Sequence, residues 1–257
     1  MGYPSELSIV RHGESAYNAL KKIKEKDPLY QRFQEAYSKD WQSIEAQGLA
    51  LAVKQKFSLG VSQHYTPITE EGKRQARVTG TNCKMEMRLP DVAFVSPCPR
   101  TRDTFDCMKE GWPELGEVPV YFDERIREQD HGLLTLFNDS RVFFALNWWQ
   151  RELHDMDGEY FFKFPNGENG PETRQRVSLW LDMVKKKFAD KRVLVVSHHR
   201  AILIMRAEIE GLSPEEFVRL DRDEKPVNCG VTVYRKEPAR GKSGKLALHC
   251  YNKKLYD

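Results

Sequence analysis

The chain of 257 residues has no apolar run long enough to span a bilayer. Its most apolar segments, Val193–Val196 and Ala201–Met205, are separated by His198, His199 and Arg200. Met1–Ile9 carries no basic stretch leading into an apolar one, so no secretory leader is expected. Cysteine is scarce: there are 5, an odd number, with no Cys-x-x-Cys pair. That argues against a disulfide framework and against a thiolate zinc site, and it fits a reducing, cytoplasmic setting. An excess of one charge is also missing. Lys and Arg total 41 against 38 for Asp and Glu, a net +3, too little to expect nucleic acid or a membrane as partner. Lysines gather at Lys21–Lys26, Lys185–Lys187 and Lys236–Lys245. No basic stripe alternates with aromatics as single-strand binding requires, so these read as solvated helix faces and a loop. There is no low-complexity tract and no internal repeat.

What is present is ordinary globular composition. Hydrophobic residues make up 40% and charged residues 31%, enough to bury a sizeable core. Short β-rich runs recur at Leu7–Val10, Val92–Val95, Val118–Phe122, Val193–Val196, Val231–Tyr234 and Leu246–Tyr251. Helical patterns lie between most of them, which predicts an α/β fold with a largely parallel sheet. Val92–Val95 and Val193–Val196 scarcely alternate, as strands covered on both faces do not. Thr69 followed by two glutamates predicts a helix start, and Ser213-Pro214-Glu-Glu a stronger one. Val177, Trp180, Leu181, Val184 and Phe188 stand at helical spacing within Gly170–Ala189.

Residues 20–66 and 133–165 break the strand–helix rhythm. The first is polar and helix-prone, with Tyr30, Phe33, Tyr37 and Trp41 three and four apart; the second is rich in aromatics. Both read as helical insertions in a single domain spanning 1–257. Each follows a strand-end motif, so both are expected to cap the active-site mouth, with Trp148 and Trp149 as packed core.

Four segments carry chemistry. Leu7–Val10 runs into Arg11-His12-Gly13-Glu14-Ser15, with Asn18 beyond. Ligands of parallel α/β sheets bind at carboxyl ends of strands. There an arginine can fork onto phosphate oxygens, and a histidine can attack through a ring nitrogen. Gly13 implies a close backbone approach or a positive φ. The second segment, Ser96-Pro-Cys-Pro-Arg100, again ends a strand with a cation. Cys98 raises the alternative of a thiolate phosphatase, but that chemistry needs an arginine six residues on, where Thr104 stands. The third, Ser197-His198-His199-Arg200, presents two histidines after a strand. Nothing like His-Glu-x-x-His accompanies them, so no metal is expected. The fourth, Arg127-Glu128-Gln129-Asp130-His131-Gly132, offers a carboxylate able to protonate a leaving oxygen.

This ordered set, with Thr69-x-x-Gly72-x-x-Gln75-Ala76 and Pro165-x-Gly167-Glu168, resembles the histidine phosphatase (phosphoglycerate-mutase-like) superfamily, and most resembles its phosphatase-type members. The resemblance covers Leu7 to about Tyr234. It implies a three-layer αβα sandwich and a division of labour. His12 is the nucleophile, Glu128 the acid and then the base, and Arg11, Arg100 and His198 hold the phosphate, helped by Asn18 and His199. If His198 is cationic in that role, it and His12 have opposite protonation needs. No cofactor is implied, and the substrate is a phosphorylated small molecule or phosphopeptide; oligomeric state is open. Two departures touch the pocket rim: His199 stands where the family often has Gly, and Asn169 where it has Ser.

The alternatives are a phosphoglycerate mutase and a pseudoenzyme that only binds phosphorylated ligands. Intact His12, Arg100, Glu128 and His198 weigh against the second. Against the first weigh the stretch after the acid (Gly132-Leu-Leu-Thr-Leu-Phe-Asn), the missing Gly-Ile-Pro turn before the late strands, and the short run from Tyr251 to Asp257. Arg125, Arg127, Arg141 and Arg200 remain candidates for a second anionic group on the substrate.

Overall fold

A computed structural model describes residues 2–237 and 245–257. Part of the third lysine cluster, residues 238–244, lies outside the described residues. The chain divides into two compact units. The first comprises Met1–Ser15, Pro67–Glu128 and Glu172–Asp257; the second comprises Ala16–Thr66 and Gln129–Pro171. The stretches read as insertions fall within the second.

The first unit is built on six strands: β1 (Glu6–Arg11), β2 (Val92–Val95), β3 (Val120–Phe122), β4 (Arg192–Ser197), β5 (Val231–Glu237) and β6 (Lys245–Lys253). Their order is β3-β2-β4-β1-β5-β6. β1 pairs parallel with β4, β4 with β2 and β2 with β3, while β5 runs antiparallel to both β1 and β6. The sheet is therefore mixed and mostly parallel. β2 is buried throughout and β4 nearly so, as their lack of alternation predicts. β3 is a short edge strand, two residues shorter at its start than its apolar run, with Tyr121 and Phe122 exposed.

Helices α4 (Glu70–Glu86) and α5 (Pro99–Gly111) pack on one face of the sheet. There Val10, Ala93 and Val196 meet Ala76, Phe105 and Met108. The alternate residues point the other way, where Phe94 packs edge-on against Trp180 and Phe188. Trp180 belongs to α8 (Gly170–Lys187). The two helical layers follow from the period-2 alternation of side chains along buried strands. Caps fix where the helices begin. Thr69 accepts from the Gly72 N–H at the head of α4, with Glu70 and Glu71 in its first turn. Ser213 and Glu216 form a reciprocal capping box at α10 (Pro214–Asp223), with proline in the first turn. Between them in sequence lies α9 (His199–Glu210), which starts directly from β4.

The second unit holds α1 (Ala16–Glu25), α2 (Pro28–Lys39), α3 (Ile44–Lys56), α6 (Ser140–Leu146) and α7 (Trp148–Asp157). Tyr30, Phe33, Ala50, Val53, Phe57 and Val142 make its main core. Phe143, Phe144 and Phe162 make a second cluster. Two expectations need correction. Lys24, read as part of a solvated face, is buried; its ammonium lies 2.6 Å from Asp139, whose carboxylate also takes the Tyr30 hydroxyl at 2.6 Å. Asp139 in turn caps α6 by accepting from the Arg141 and Val142 amides. A buried ammonium is tolerated because it is paired and hydrogen-bonded. Trp148 and Trp149, read as core, are 44% and 49% exposed. The shorter Phe143 and Phe144 fill the interior of that segment instead. Among the described residues no helix is long and apolar enough to cross a membrane.

Candidate active site

The site forms in the first unit, where β1, β2 and β4 end side by side. Arg11 closes β1 opposite Ser197 at the end of β4. His12 comes next, and its amide donates to the Ser197 carbonyl at 3.0 Å. Its own carbonyl accepts from Asn228 Nδ2 at 3.1 Å, while the Cys229 amide donates to the Arg11 carbonyl at 3.1 Å. The turn is thus anchored to the ends of β4 and of the loop before β5.

Gly13 is required by close approach, not by φ. A Cβ there would stand 2.5 Å from the Gly72 carbonyl oxygen, and one at Gly72 would stand 2.2 Å from that of Glu14. The turn is further held by the Gly13 amide donating to Thr104 Oγ1 at 2.9 Å. Thr104 Oγ1 itself donates to the Arg100 carbonyl at 2.6 Å, so the two arginine-bearing strand ends are tied together. Glu14 turns inward, accepting from Thr69 Oγ1 at 3.0 Å.

The His12 ring has a defined tautomer. Nδ1 lies 2.7 Å from the Gly13 carbonyl. A carbonyl can only accept, so Nδ1 carries the proton and Nε2 keeps its lone pair. The ring is buried, and burial together with the Arg100 and Arg11 guanidiniums holds its pKa well below the ordinary histidine value. A neutral imidazole with a lone pair on Nε2, among cations, is the state a nucleophile toward phosphorus needs.

His198 stands beside it, ring centroids 5.3 Å apart. Its Nδ1 accepts from Arg100 Nε at 3.1 Å, so Nδ1 bears no proton; Nε2 then donates to Ser96 Oγ at 2.7 Å. Burial and the neighbouring Arg100 hold its pKa well below ordinary too. On this geometry the ring is a neutral acceptor that orients Arg100, so the case of a cationic His198 does not arise here. Arg11 donates through Nη1 to the Pro226 carbonyl at 2.6 Å.

Glu128 lies at the N-terminus of α9. Its Oε1 accepts from the Arg200 and Ala201 amides at 3.1 and 3.2 Å. Those amides are orphan N–H groups of the helix start, and they fix where the carboxyl group sits. Asp130, the nearest alternative acid in sequence, spends Oδ1 on the Gly132 amide at 2.9 Å. Gly132 itself has φ +50, and a Cβ would lie 2.1 Å from the Pro165 carbonyl oxygen, which accounts for glycine at this point of the motif.

His199 is set by Asp221 of α10, with Nε2 2.7 Å from Oδ1. Burial lowers its pKa, and Asp221 opposes that only in part. Arg200 faces the same carboxylate at 3.6 Å and lies over the Phe217 ring. Arg125 is bound by both oxygens of Asp123, which leaves it poorly disposed toward a substrate. Cys98 is buried, and burial raises its thiol pKa despite Arg100 nearby, opposite to what a thiolate nucleophile needs. Asn18 lies on α1 and Arg141 on α6, both in the second unit; Asn169 there donates to the Phe161 carbonyl at 3.2 Å.

Arg11, His12, Arg100, Glu128, His198 and His199 thus converge in the first unit. Ser96, Thr104, Ser197 and Asn228, which orient them, were given no role by sequence reasoning. Ser96 and Ser197 lay inside the motifs, and their position just before the charged residues was the available signal. Among the described residues no group of three or more His, Cys, Asp or Glu is placed to hold a metal ion.

The sequence is 26% identical over 178 residues to a phosphoglycerate mutase-like protein of Arabidopsis thaliana, a match that covers 62% of this chain and 61% of that one. It is 25% identical over 158 residues to a 2,3-bisphosphoglycerate-dependent phosphoglycerate mutase of Parvibaculum lavamentivorans, covering 60% and 73%. Among solved structures, a putative alpha-ribazole-5'-P phosphatase from Escherichia coli superposes with TM-score 0.67 at 17% identity, over 99% of this chain and 98% of that one. A mycobacterial glucosyl-3-phosphoglycerate phosphatase superposes with TM-score 0.64 at 18% identity, over 96% and 99%. At such identities these two show the fold. The profile of the histidine phosphatase superfamily (branch 1) matches residues 58–247, the larger part of the chain. The protein therefore belongs to the histidine phosphatase superfamily.

Proposed function

We propose that this protein hydrolyses phosphate monoesters through a phosphohistidine on His12, without a metal or cofactor. The observation that carries the reading is the fixed His12 tautomer, with Nε2 unprotonated among Arg11 and Arg100. Nε2 attacks phosphorus in line, the bond to the leaving oxygen breaks, and Glu128 supplies that oxygen's proton. Glu128, now a carboxylate, takes a proton from the incoming water as the P–N bond breaks, which returns both groups to their starting states. Arg11 and Arg100 bear on the non-bridging oxygens, where phosphoryl transfer needs charge stabilisation. His198 acts by fixing Arg100, and Asn18 and His199 are further candidate donors. The substrate is a phosphorylated small molecule or phosphopeptide. We further propose that residues 20–66 and 133–165 cap the mouth and select substrate. Chain connectivity supports this, since the chain leaves the first unit three residues after His12 and again at Glu128. The five cysteines, all free thiols, support a reducing cytoplasmic setting.

His12→Ala should abolish turnover of p-nitrophenyl phosphate, and rapid quenching of the wild type should trap phosphate on His12, readable by mass spectrometry. A variant that retains a substantial fraction of wild-type kcat would refute the reading. The names of the sequence relatives favour a second reading, a mutase. Incubation with 3-phosphoglycerate and catalytic 2,3-bisphosphoglycerate separates the two: free phosphate is expected, and rapid isomerisation without phosphate release would establish the mutase.

A further inference from the structure

Glu128 sits in a part of the chain with little regular structure. A short 3-10 turn, Glu124–Ile126, follows β3, and the segment then extends to the acid. From Arg125 to Glu128 its carbonyls nevertheless all accept from side chains brought by other elements. Arg176 of α8 donates through Nη1 to the Arg125 and Arg127 carbonyls, both at 2.8 Å, and through Nη2 to the Glu128 carbonyl at 3.0 Å. Ser197 Oγ, at the end of β4, donates to the intervening Ile126 carbonyl at 2.7 Å. Four consecutive carbonyls are therefore fixed by two side chains. At the other end of the residue the carboxylate is fixed by the α9 amides.

We infer that Arg176 is a positioning residue for the general acid: its planar fork holds the backbone from which Glu128 reaches the leaving oxygen. The inference rests on the phosphatase reading above. A guanidinium suits this task because it presents several donors in a rigid plane, whereas an ammonium is a single point. The consequence is specific to the acid. Misplacing a catalytic group by an ångström costs far more in rate than in binding, and the acid matters only when the leaving group needs a proton. The phosphate-binding arginines are held by other groups, Ser96–His198 and Pro226; the Arg176 charge reaches His198 only as a minor contribution, so vanadate binding should be largely kept.

The test compares kcat/KM for an alkyl phosphate such as glycerol phosphate with that for 2,4-dinitrophenyl phosphate, in the wild type, Glu128→Gln, Arg176→Gln, Arg176→Lys and Ser197→Ala. General acid catalysis contributes about 10²–10⁴-fold. Arg176→Gln is expected to lose at least about 10-fold more on the alkyl than on the activated ester, with vanadate inhibition constants near wild type and little further loss when combined with Glu128→Gln. Arg176→Lys should fall between the two. If Arg176→Gln does not fold, Arg176→Lys and Ser197→Ala carry the test with the same selective loss on the alkyl ester. Glu128→Gln serves as the reference: equal losses on both esters there would overturn the acid assignment itself. Selective loss in Glu128→Gln with uniform loss, no loss or weakened vanadate binding in the Arg176 variants would overturn the positioning role alone.

Discussion

The two histidines at the heart of the site make stability depend on pH in a direction opposite to that of an ion-paired histidine. Burial and the adjacent arginines depress the folded pKa of His12 and His198, so the unfolded chain takes up their protons first. Between the depressed folded value and the ordinary value of about 6.5, the unfolded state binds more protons, and lowering the pH draws the protein toward unfolding. Above about pH 7 neither state is protonated and the term vanishes. Each histidine that stays neutral in the folded state costs about 1.4 kcal/mol of stability between roughly pH 7.5 and pH 5.5, so the pair costs about 2.7 kcal/mol. The assay is urea unfolding at the two pH values for the wild type and for His12→Asn/His198→Asn. The wild type should lose up to about 2.7 kcal/mol more than the variant over that interval. His154, raised mainly by its hydrogen bond to Glu159, contributes with opposite sign but equally in both proteins, and so cancels. Parallel pH dependences in the two proteins would refute the claim that the site is held neutral. In activity, the acid limb of kcat/KM should fall below the ordinary histidine value, because His12 remains a base there.

Turnover should survive excess EDTA and be blocked by vanadate; loss of activity to the chelator, restored by a divalent metal, would return His198 and His199 to the role of ligands. Gly72→Ala should destabilise the protein by about 1–3 kcal/mol and lower kcat, since the added methyl meets main-chain atoms of Glu14 beside the nucleophile turn; unchanged unfolding midpoint and kcat would contradict that close packing. Lys24→Met should cost about 3–5 kcal/mol, because it leaves the Asp139 carboxylate buried without its cation; a midpoint in urea equal to the wild type would show the pair to be energetically neutral.

Much of this was legible in the sequence because local physics dictated it. β2 and β4 lack alternation because both faces are covered, and Thr69 and Ser213 sit where orphan amides need a side-chain acceptor. The charged residues with chemistry stand directly after strands, so their placement follows from where strands end. Arg176 was not legible. On α8 it lies among other charged positions, and nothing in its spacing separates it from a solvated arginine; its partners are carbonyls some 50 residues earlier. The neutral state of His198 was also hidden, since it depends on which atom of Arg100 faces the ring. Lys24 and the two tryptophans fail for a related reason. Residue type predicts burial only on average, and in the helical unit a paired lysine is enclosed while two large rings remain outside.

One feature of the nucleophile turn bears on how such a chain can be remodelled. Ser15 and Ile68 form an antiparallel bridge, and the Thr69 amide donates to the Glu14 carbonyl at 2.8 Å. The whole excursion Ala16–Thr66 thus departs and returns at adjacent points, with Cα atoms about 5 Å apart as in any such pair. Two residues in a tight turn can close that gap. The excursion can therefore change length without rethreading the strand that carries His12, but α1–α3 share their core with α6, so an exchange has to take Gln129–Pro171 with it. A designer can graft a new helical unit through the chain crossings at Ser15–Ile68 and after Glu128 and leave the strand ends that carry His12, Arg100 and His198 as they are.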